Sequence, residues 1–153
     1  VQNYFLILVE IEENQTCQIR IPSFSFTRDG IYNSESNTII ITNDIVSPVI
    51  NVEAYGMNLN GEIILPGSTT SDSIIYLNFV VSEPVVNFTI NDINISSGTL
   101  SEFTQNGNLY SVIFTPDIDN NTYTIYVPDN VLNDVAGNFN NSSNIFTWTY
   151  QTN

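Results

Sequence analysis

Apolar and polar residues alternate along short stretches of this chain, as they do in strands of a sheet with one buried face. In residues 49–55, Ile50 and Val52 fall on one face, and Asn51 and Glu53 fall on the other. Similar stretches, rich in β-branched and aromatic residues, predict strands at 4–11, 17–21, 38–42, 73–81, 85–90, 110–115, 122–127 and 145–150. Nowhere is a 3.6-residue period sustained for three turns, so no helix is predicted.

Turn-forming residues separate these stretches. Asn60-Gly61 and Asn106-Gly107 are residue pairs typical of tight hairpins, and the second pair lies between the two arms of a predicted hairpin, 103–110. Many short strands at intervals of about ten residues, with few charges inside them, indicate a sandwich of two antiparallel sheets. The predicted fold class is therefore all-β, an antiparallel immunoglobulin-like β-sandwich.

The opening of the chain is a diverged copy of its end. YFLILVEIEENQTCQIRIPSFSFT, which starts at Tyr4, aligns with YSVIFTPDIDNNTYTIYVPDNVLN, which starts at Tyr110, and a one-residue gap then brings Gly30 onto Gly137. The alignment contains about eleven identities over roughly forty pairs. The copies lie about 106 residues apart, a usual size for one small β-domain.

This repeat predicts two domains of unequal completeness. Residues 1–44 are expected to be the second half of a module and to contribute extra strands, and residues 45–153 a complete sandwich. Strands without a sheet leave backbone groups and an apolar face without partners, so the first part must pair with something. Two arrangements are open: it packs on 46–150, or it is donated to an adjacent subunit so that copies join head to tail. Arbitrary excision from a longer tandem array is the competing explanation.

The charge of the chain narrows the range of partners. Among 153 residues there are 16 acidic side chains, two Arg and no Lys, for a net charge of −14. Such a surface repels phosphate backbones and anionic headgroups, which disfavours binding to nucleic acid or to a membrane surface. It attracts divalent cations.

Several chemistries lack the residues they need. There is no His, the commonest general base and the commonest transition-metal ligand, so a triad hydrolase and a zinc site are both disfavoured. Cys17 cannot form a disulfide within the chain, and we expect it to be a small buried hydrophobic residue rather than a reactive thiol. The apolar run 5–9 is too short to span a bilayer, so no membrane insertion is predicted. Because the chain starts at Val1 without Met, we expect a processed product or an excerpt of a longer protein.

One long segment resembles a known family. The run that starts at Ser82, SEPVVNFTINDINISSGTLSEFTQNGNLYSVIFTPDIDNNTYTIYVPDNVLNDVAGN, has its motifs in the order of the bacterial immunoglobulin-like domains found in tandem in large surface proteins. These motifs are SEPV followed by F and D-I, S-G-T-L-S-x-F, Y-x-x-x-x-x-P, T-x-x-V-P and D-x-A-G-N. The resemblance covers 46–150, whereas 1–44 carries only the later motifs, with D-x-A-G-N reduced to RDGIYN. It implies an extracellular or cell-surface module acting as spacer, adhesin stalk or fibre subunit, and it implies no catalysis.

Six Asn residues head a glycosylation sequon. Chance alone gives about four to five sequons in a chain of this composition, so their number carries no signal, but most fall in turns or on polar strand faces where a glycan fits. Modification depends on a source with the required machinery. The candidates are Asn14, Asn87, Asn94, Asn120, Asn140 and Asn141.

Loop carboxylates are candidate calcium ligands. Asp117, Asp119, Asp129 and Asp134 cluster in loops of one module, and Asp44 lies in the linker, where hard oxygen ligands could hold Ca²⁺. No twelve-residue loop with ligand spacing is present. The competing explanation is that these groups are solvated, or that Asp134 closes the D-x-A-G-N turn by accepting hydrogen bonds from backbone amides.

Two pairs of acidic residues have the side-chain type that glycoside hydrolysis requires, but the other features of such a site are missing from the sequence. Glu12 with Glu13, or Glu53 with Glu62, could supply two carboxyl groups, yet no pocket or matched aromatic platform accompanies them, so we predict no catalytic site.

The last predicted strand carries an aromatic face. Phe146, Trp148 and Tyr150 could stack on a sugar, but we expect them to pack in the core or against a neighbouring module.

Together these patterns predict a structural or adhesive extracellular protein that assembles end to end with copies of itself or with a tandem neighbour. The alternative is a carbohydrate-binding accessory module of a secreted enzyme, for which glycans would be the partner.

Overall fold

The structure is a computed structural model that describes residues 6–57 and 61–152. The chain divides into two compact units, residues 1–46 and residues 47–153. The strands of the first unit are β1 (Thr16–Ile19), β2 (Thr27–Arg28), β3 (Ile31–Tyr32) and β4 (Ile39–Thr42). Those of the second unit are β5 (Ile50–Gly56), β6 (Ile63–Ile64), β7 (Thr69–Thr70), β8 (Ile75–Val81), β9 (Val85–Val86), β10 (Asn94–Ile95), β11 (Thr99–Asn106), β12 (Leu109–Thr115), β13 (Asn121–Tyr126), β14 (Asn133–Asp134) and β15 (Phe146–Tyr150).

The second unit is a sandwich of two sheets. One sheet has five strands in the order β11-β12-β8-β5-β6, and the other has four in the order β10-β13-β15-β7. Neighbouring strands are antiparallel except β15 and β7, which are parallel. The predicted class, an all-β antiparallel immunoglobulin-like sandwich, is confirmed.

Strict alternation along the central strands builds the core. On β5 and β8 every second residue is buried, so the two strands turn one apolar face inwards and a mixed face outwards. The buried set is the one that the sequence pattern predicts: Ile50, Val52, Ala54, Ile75, Leu77 and Phe79.

Aromatic rings join the two sheets across this core. Trp148 is fully buried, with its ring 5.0 Å from that of Phe114 and 5.6 Å from that of Tyr123. Phe146 is buried as well, and Tyr150 packs against the core from its edge. The last strand therefore packs in the core, as expected, and the suggestion that its aromatic face stacks on a sugar is wrong.

The predicted strand 85–90 is shorter than expected. It ends at Val86, because Asn87 takes a left-handed φ of 65° that interrupts the extended backbone. A single 3₁₀ turn, Ile90–Asp92, follows, and the Asp92 carboxylate accepts hydrogen bonds from Thr89 N (2.7 Å) and Thr89 Oγ1 (2.9 Å). The sequence Thr-x-x-Asp is a capping-box signal that the strand assignment overlooked.

The predicted hairpin at 103–110 is confirmed. β11 and β12 pair from Asn106↔Leu109 outwards, and Gly107 occupies the first position of the two-residue turn with a φ of 61°. The other predicted hairpin tip is Asn60-Gly61, and its Asn60 lies outside the described residues. β5 and β6 nevertheless pair antiparallel on either side of it.

Gly98 tests how tightly the loop before β11 packs. It has a φ of +89°, and a Cβ there would lie 2.5 Å from Cζ of buried Phe114. We expect Gly98→Ala to lower the free energy of unfolding by about 3 kcal/mol, because backbone strain and a clash in the core add up. Gly107→Ala, where φ is +61° and a Cβ meets open space, isolates the backbone part and should cost about 1 kcal/mol. Equal losses in chemical denaturation would contradict the packing argument.

The first unit contains two pairs of short strands. β1 pairs antiparallel with β4, and β2 with β3. The predicted strands 17–21 and 38–42 correspond to β1 and β4, whereas the predicted strand 4–11 does not form over its described part: residues 6–11 lie outside any strand, and residues 4 and 5 lie outside the described residues.

Candidate functional site

The pairing of β1 with β4 repeats the pairing of β13 with β15. Thr16 lies opposite Thr42, as Thr122 lies opposite Thr149, which is the register that the sequence alignment requires. Each pair joins its hydroxyl groups across the strands, at 2.9 Å in the first unit and 3.1 Å in the second. The two units therefore share strand register and side-chain bonding at this point.

A serine just before the second strand of each pair makes the same hydrogen bonds in both units: Ser36 before β4, and Ser143 before β15. Ile21 N donates to Ser36 Oγ at 2.8 Å, and Val127 N donates to Ser143 Oγ at 2.8 Å. The backbone bond in the opposite direction, from the serine N–H to the carbonyl oxygen, is 2.9 Å in each unit.

An asparagine that bonds to the carbonyl oxygen of a proline is the third feature that the two units share. Asn33 Nδ2 donates to the Pro22 carbonyl oxygen at 2.8 Å, and Asn140 Nδ2 donates to the Pro128 carbonyl oxygen at 2.7 Å. Left-handed backbone positions recur as well: Asn14, Phe24 and Gly30 in the first unit, and Asn120, Asn130 and Gly137 in the second. From β1 to β4 the first unit thus repeats the strand pairing and several turn conformations found between β13 and β15.

Equivalent side chains are more exposed in the first unit than in the second. Trp148 is fully buried, but its equivalent Ile41 is 43% exposed; Leu132 is 1% exposed, but its equivalent Phe26 is 60% exposed. Throughout the described part of the first unit, residues 6–46, no residue is buried. The face that forms a core in the second unit is open in the first.

The described part of the first unit lacks the strands that cover this face in the second unit. In the second unit β12 pairs with β8 and β11, and the inner faces of β5 and β8 supply a large part of the core. Residues 6–46 include no equivalents of β5, β8 or β11. Residues 6–9, the described part of the counterpart of β12, therefore have no sheet to join. Leu6, Ile7, Ile21 and Phe26 line an apolar cavity of about 560 Å³. We call these four residues and the inward-facing side of β1 and β4 the open face.

Tyr123 anchors the turn before β13 in a way that the sequence reasoning missed. Its hydroxyl accepts hydrogen bonds from Asp117 N (3.0 Å) and Ile118 N (2.8 Å) and lies 2.8 Å from Asp117 Oδ1, to which it can donate. The hydrogen bond from Tyr123 holds the pKa of Asp117 below its ordinary value. Cys17 occupies the equivalent position in the first unit and is partly exposed, contrary to the expectation of burial.

The carboxylate of Asp134 closes the D-x-A-G-N turn. Oδ1 accepts N–H bonds from Gly137 (2.7 Å) and Asn138 (2.9 Å), and Oδ2 accepts a bond from Asn138 Nδ2 (2.9 Å). Burial raises the pKa of Asp134, but the bonds to the side chain and backbone of Asn138 and to the backbone of Gly137 and Ala136 outweigh it and lower the pKa overall. The turn-closing explanation fits this geometry.

The other calcium candidates have local hydrogen-bond partners. Asp119 Oδ1 accepts a bond from Thr152 N at 2.7 Å, which lowers its pKa. Asp129 Oδ2 accepts a bond from Asn130 Nδ2 at 2.7 Å, and Asp44 Oδ1 accepts one from Val46 N at 3.0 Å. Calcium binding by these groups stays a prediction.

Five of the six sequon asparagines are exposed: Asn14, Asn87, Asn94, Asn120 and Asn141. Asn140 is different, since it is 2% exposed and its side-chain nitrogen donates to Pro128 and Asn141 carbonyl oxygens. In the folded chain Asn140 therefore has a structural role, and modification of the six candidates stays a prediction.

We expect Asn140 to remain unmodified when the chain is secreted from a glycosylating eukaryotic host. An Asn141→Gln variant removes the adjacent sequon, so that glycopeptide mass spectrometry reads Asn140 alone. Asn94, exposed at the start of β10, is the matched position in the same sample. A glycan on Asn140 in folded, secreted protein would contradict the burial described above.

The acidic pairs form no recognisable catalytic arrangement in the described residues. Glu53 accepts hydrogen bonds from Asn51 Nδ2 (3.1 Å) and from the Tyr55 hydroxyl (2.7 Å), both on its own strand. This bond to Glu53 raises the pKa of Tyr55. Glu12, Glu13 and Glu62 are exposed.

Comparison with known families agrees with this geometry. The family described as bacterial Ig-like domain matches residues 66–150. This chain belongs to the bacterial Ig-like domain family. The resemblance seen in the sequence motifs is confirmed, although the match starts at residue 66, after β6, rather than at residue 46. The Ig-like match does not extend to the first unit. No curated protein matches the chain, and no solved structure matches it.

Membership in this family indicates a structural surface module. Bacterial Ig-like domains are commonly exposed at the cell surface and are typically not enzymes. Within residues 6–57 and 61–152, no helix has the length and apolar character of a membrane span.

Proposed function

We propose that this chain is part of an extracellular stalk or filament in which Ig-like modules follow one another end to end and connect or adhere rather than catalyse. The observation that carries this proposal is the open face. A half-module with the bonding pattern of a complete Ig-like module, yet without a buried core, is a binding element for the missing half.

Strand complementation supplies the physical basis for assembly. An uncovered sheet offers unpaired backbone donors and acceptors along its edges, together with apolar side chains that gain free energy when water is removed. Added strands satisfy both needs at once. A contact between two different surfaces does not close on itself, so modules joined in this way extend into a linear array.

Deletion of residues 1–46 tests this role. We expect the full chain to self-associate in light scattering and electron microscopy, and residues 47–153 to stay monomeric and folded. Phe26→Asp in the full chain should weaken association, because it places a charge on the open face. Val135→Asp, at a position of the second unit that is 81% exposed, is the matched control and should change nothing. Filaments formed equally well by residues 47–153 would refute a role for the first unit in assembly.

One observation favours the alternative, a carbohydrate-binding module. Tyr55 and Tyr76 lie directly opposite each other on the outer face of the five-stranded sheet, and Tyr76 is 40% exposed. The exposed ring of Tyr76 and the partly exposed ring of Tyr55, beside the polar side chain of Glu53, could stack on a sugar. Under this alternative, residues 47–153 would bind a glycan array saturably as a monomer, and Tyr76→Ala would abolish the binding.

A further inference from the structure

An irregularity in β11 places a carboxylate on the outer side of the five-stranded sheet. The register against β12 shifts between Ser101 and Thr104, which leaves Glu102 and Phe103 opposite the single residue Val112. Phe103 packs against the core, whereas Glu102 is exposed. A β-bulge of this kind re-aims the side chains of an edge strand.

The backbone of Glu102 is left-handed, with a φ of 54°. Gly adopts this conformation freely, whereas any other L-residue adopts it at a cost in free energy. The side chain of Glu102 is therefore present at a local cost in stability. Backbone positions with such a cost are concentrated at binding sites.

A cavity of about 230 Å³ lies beside this side chain. Tyr76, which is 40% exposed, and Ile113 lie directly opposite each other on β8 and β12 and give the cavity an aromatic ring and an apolar side chain. The Ser111 hydroxyl donates to Asn78 Oδ1 at 2.8 Å, so its oxygen can still accept a hydrogen bond. A ring, an apolar side chain and a carboxylate together suit a cation on an alkyl stem. We call this the Glu102 cavity, and its lining is Tyr76, Glu102, Thr104, Ser111, Val112 and Ile113.

The cation for this cavity must come from outside the second unit, because residues 47–153 contain no Lys, Arg or His. The chain has two Arg residues, both in the first unit. Arg20 is paired with Glu35. The side chain of Arg28 is 92% exposed, and it lies 3.6 Å from the exposed carboxylate of the adjacent Asp29, an ion pair of the kind that contributes little. Arg28 is therefore available to a carboxylate of another copy.

Arg28 lies at the tip of the hairpin formed by β2 and β3. Asp29 and Gly30 form its two-residue turn, with φ values of 52° and 80°. Arg28 is directly opposite Ile31, which is 75% exposed, and side chains in that relation lie on the same face of a hairpin. The tip thus presents a guanidinium and an apolar side chain together, which match the carboxylate and the apolar lining of the Glu102 cavity.

The net charge of the chain favours this pairing of surfaces over others. Each copy has a net charge of −14, so a contact that brings only carboxylates together is repulsive. A contact that sets Arg28 against Glu102 places unlike charges opposite each other, and like-charge pairs disfavour the other arrangements. Because the two surfaces differ, such a contact also extends into a linear array.

We infer that Arg28 of one copy binds in the Glu102 cavity of another copy. The guanidinium pairs with the carboxylate and lies against the ring of Tyr76, and Ile31 packs against Ile113. This inference rests on the proposed end-to-end assembly and names one contact in it. Association through the open face is compatible with it, because neither Arg28 nor Ile31 belongs to the open face.

Cross-linking between two full chains tests this contact. In a Cys17→Ser background, one chain carries Asp29→Cys beside the hairpin tip, and the other carries Thr104→Cys in the cavity lining. A short bis-maleimide joins the thiols, and intact mass identifies the mixed dimer. We expect this dimer to form at least about tenfold faster than that of the Asp29→Cys chain with a Val135→Cys chain, because docking raises the effective concentration of the two thiols. Val135 is exposed and lies outside the cavity lining.

Charge reversal shows whether the ion pair holds the contact. Arg28→Glu in the first chain, or Glu102→Arg in the second, should slow the mixed dimer at least about tenfold, because like charges then meet. Glu102→Arg makes the net charge less negative, so it would speed association if only overall repulsion mattered. Asp129→Arg, at an exposed carboxylate outside the cavity lining, makes the same change in net charge and should not slow the reaction. The two reversals together should restore the original rate.

Glu102→Gly separates binding from folding. Because Gly suits the left-handed backbone, this variant should be at least as stable as the wild type in chemical denaturation, while its mixed dimer forms more slowly. A loss of stability together with slower cross-linking would assign Glu102 a structural role and overturn the inference.

Three further results would overturn it: equal rates for the Thr104→Cys and Val135→Cys chains, a rate that single charge reversals leave unchanged, or a double reversal that does not restore the rate. The deletion test of the proposed function measures assembly through any contact of residues 1–46, whereas cross-linking measures one contact between two chains. Filaments without the mixed dimer would refute this contact alone. Mixed dimers from a chain that forms no filaments would refute the linear array instead.

Discussion

Ile125→Ala lowers the free energy of unfolding of the second unit by about 2–5 kcal/mol, the usual cost of deleting a buried Ile side chain down to its β-carbon. Ile125 is fully buried on β13, opposite Phe146 on β15. The loss combines the transfer free energy of the deleted groups with the cavity left between the two sheets. Trp148 is the single Trp of the chain and is fully buried in this core, so its fluorescence follows the transition during chemical denaturation.

The first unit contains the matched control for this substitution. Ile19 on β1 is the equivalent of Ile125 and lies opposite Ile39 in the same register, but it is only partly buried. Ile19→Ala should change the unfolding free energy by less than about 1 kcal/mol, because water already reaches this position. Equal losses at the two positions, by fluorescence and circular dichroism together, would mean that the first unit already has a core and that the open face does not exist in solution.

Asp134→Asn is expected to destabilise the second unit by about 1.5–3 kcal/mol, the range for hydrogen bonds to a charged group. The carboxylate is 1% exposed and accepts N–H bonds from Gly137 and Asn138, whereas the Asn amide nitrogen can only donate. One of the donors around the side chain would then face another donor. Asp129→Asn, at an exposed carboxylate that bonds only to the side chain of the adjacent Asn130 in the described structure, should leave the stability unchanged.

The effect at Asp134 depends on pH with a definite sign. The folded state lowers the pKa of Asp134 from its ordinary value of 3.8, so its stabilising contribution is fully present above that value. It is lost as the pH falls through the lower pKa of the folded state. The stability difference between the wild type and Asp134→Asn should therefore be constant near neutral pH and shrink below about pH 3.8. A difference that grows on acidification would show that this carboxylate is not held ionised by the turn.

Much of the fold could be predicted from the sequence because its signals are local. Alternation alone places the inward-facing residues of β5 and β8, and Asn106-Gly107 locates the β11–β12 hairpin. The strand after Pro84 was predicted too long, since alternation at Val86 and Phe88 does not reveal that Asn87 adopts a left-handed conformation. Asn is one of the few residues that adopts that conformation at low cost, so a strand prediction through Asn stays open to interruption.

The candidate site was only half visible in the sequence. The internal repeat shows that residues 1–44 correspond to the second half of a module. It follows from the alignment alone that the strands of the first half are missing from this segment. Whether 6–11 still forms a strand could not be read in that way. A strand needs neighbours for its backbone groups, and those neighbours belong to other parts of the chain. Burial is equally non-local, since a sequon such as that of Asn140 looks the same in a core as on a surface.

The sequence by itself determined the all-β class, the antiparallel sandwich, the family resemblance and the repeat, because these follow from alternation, turn residues and aligned motifs. Only the tertiary structure decided that the aromatic side chains of β15 face the core, that Asp134 is buried in its turn, and that the scaffold of the first unit is open to solvent. The physical reason is the same in each case. Exposure depends on which distant segments pack against a residue, and a half-module has the same local pattern whether or not its other half covers it.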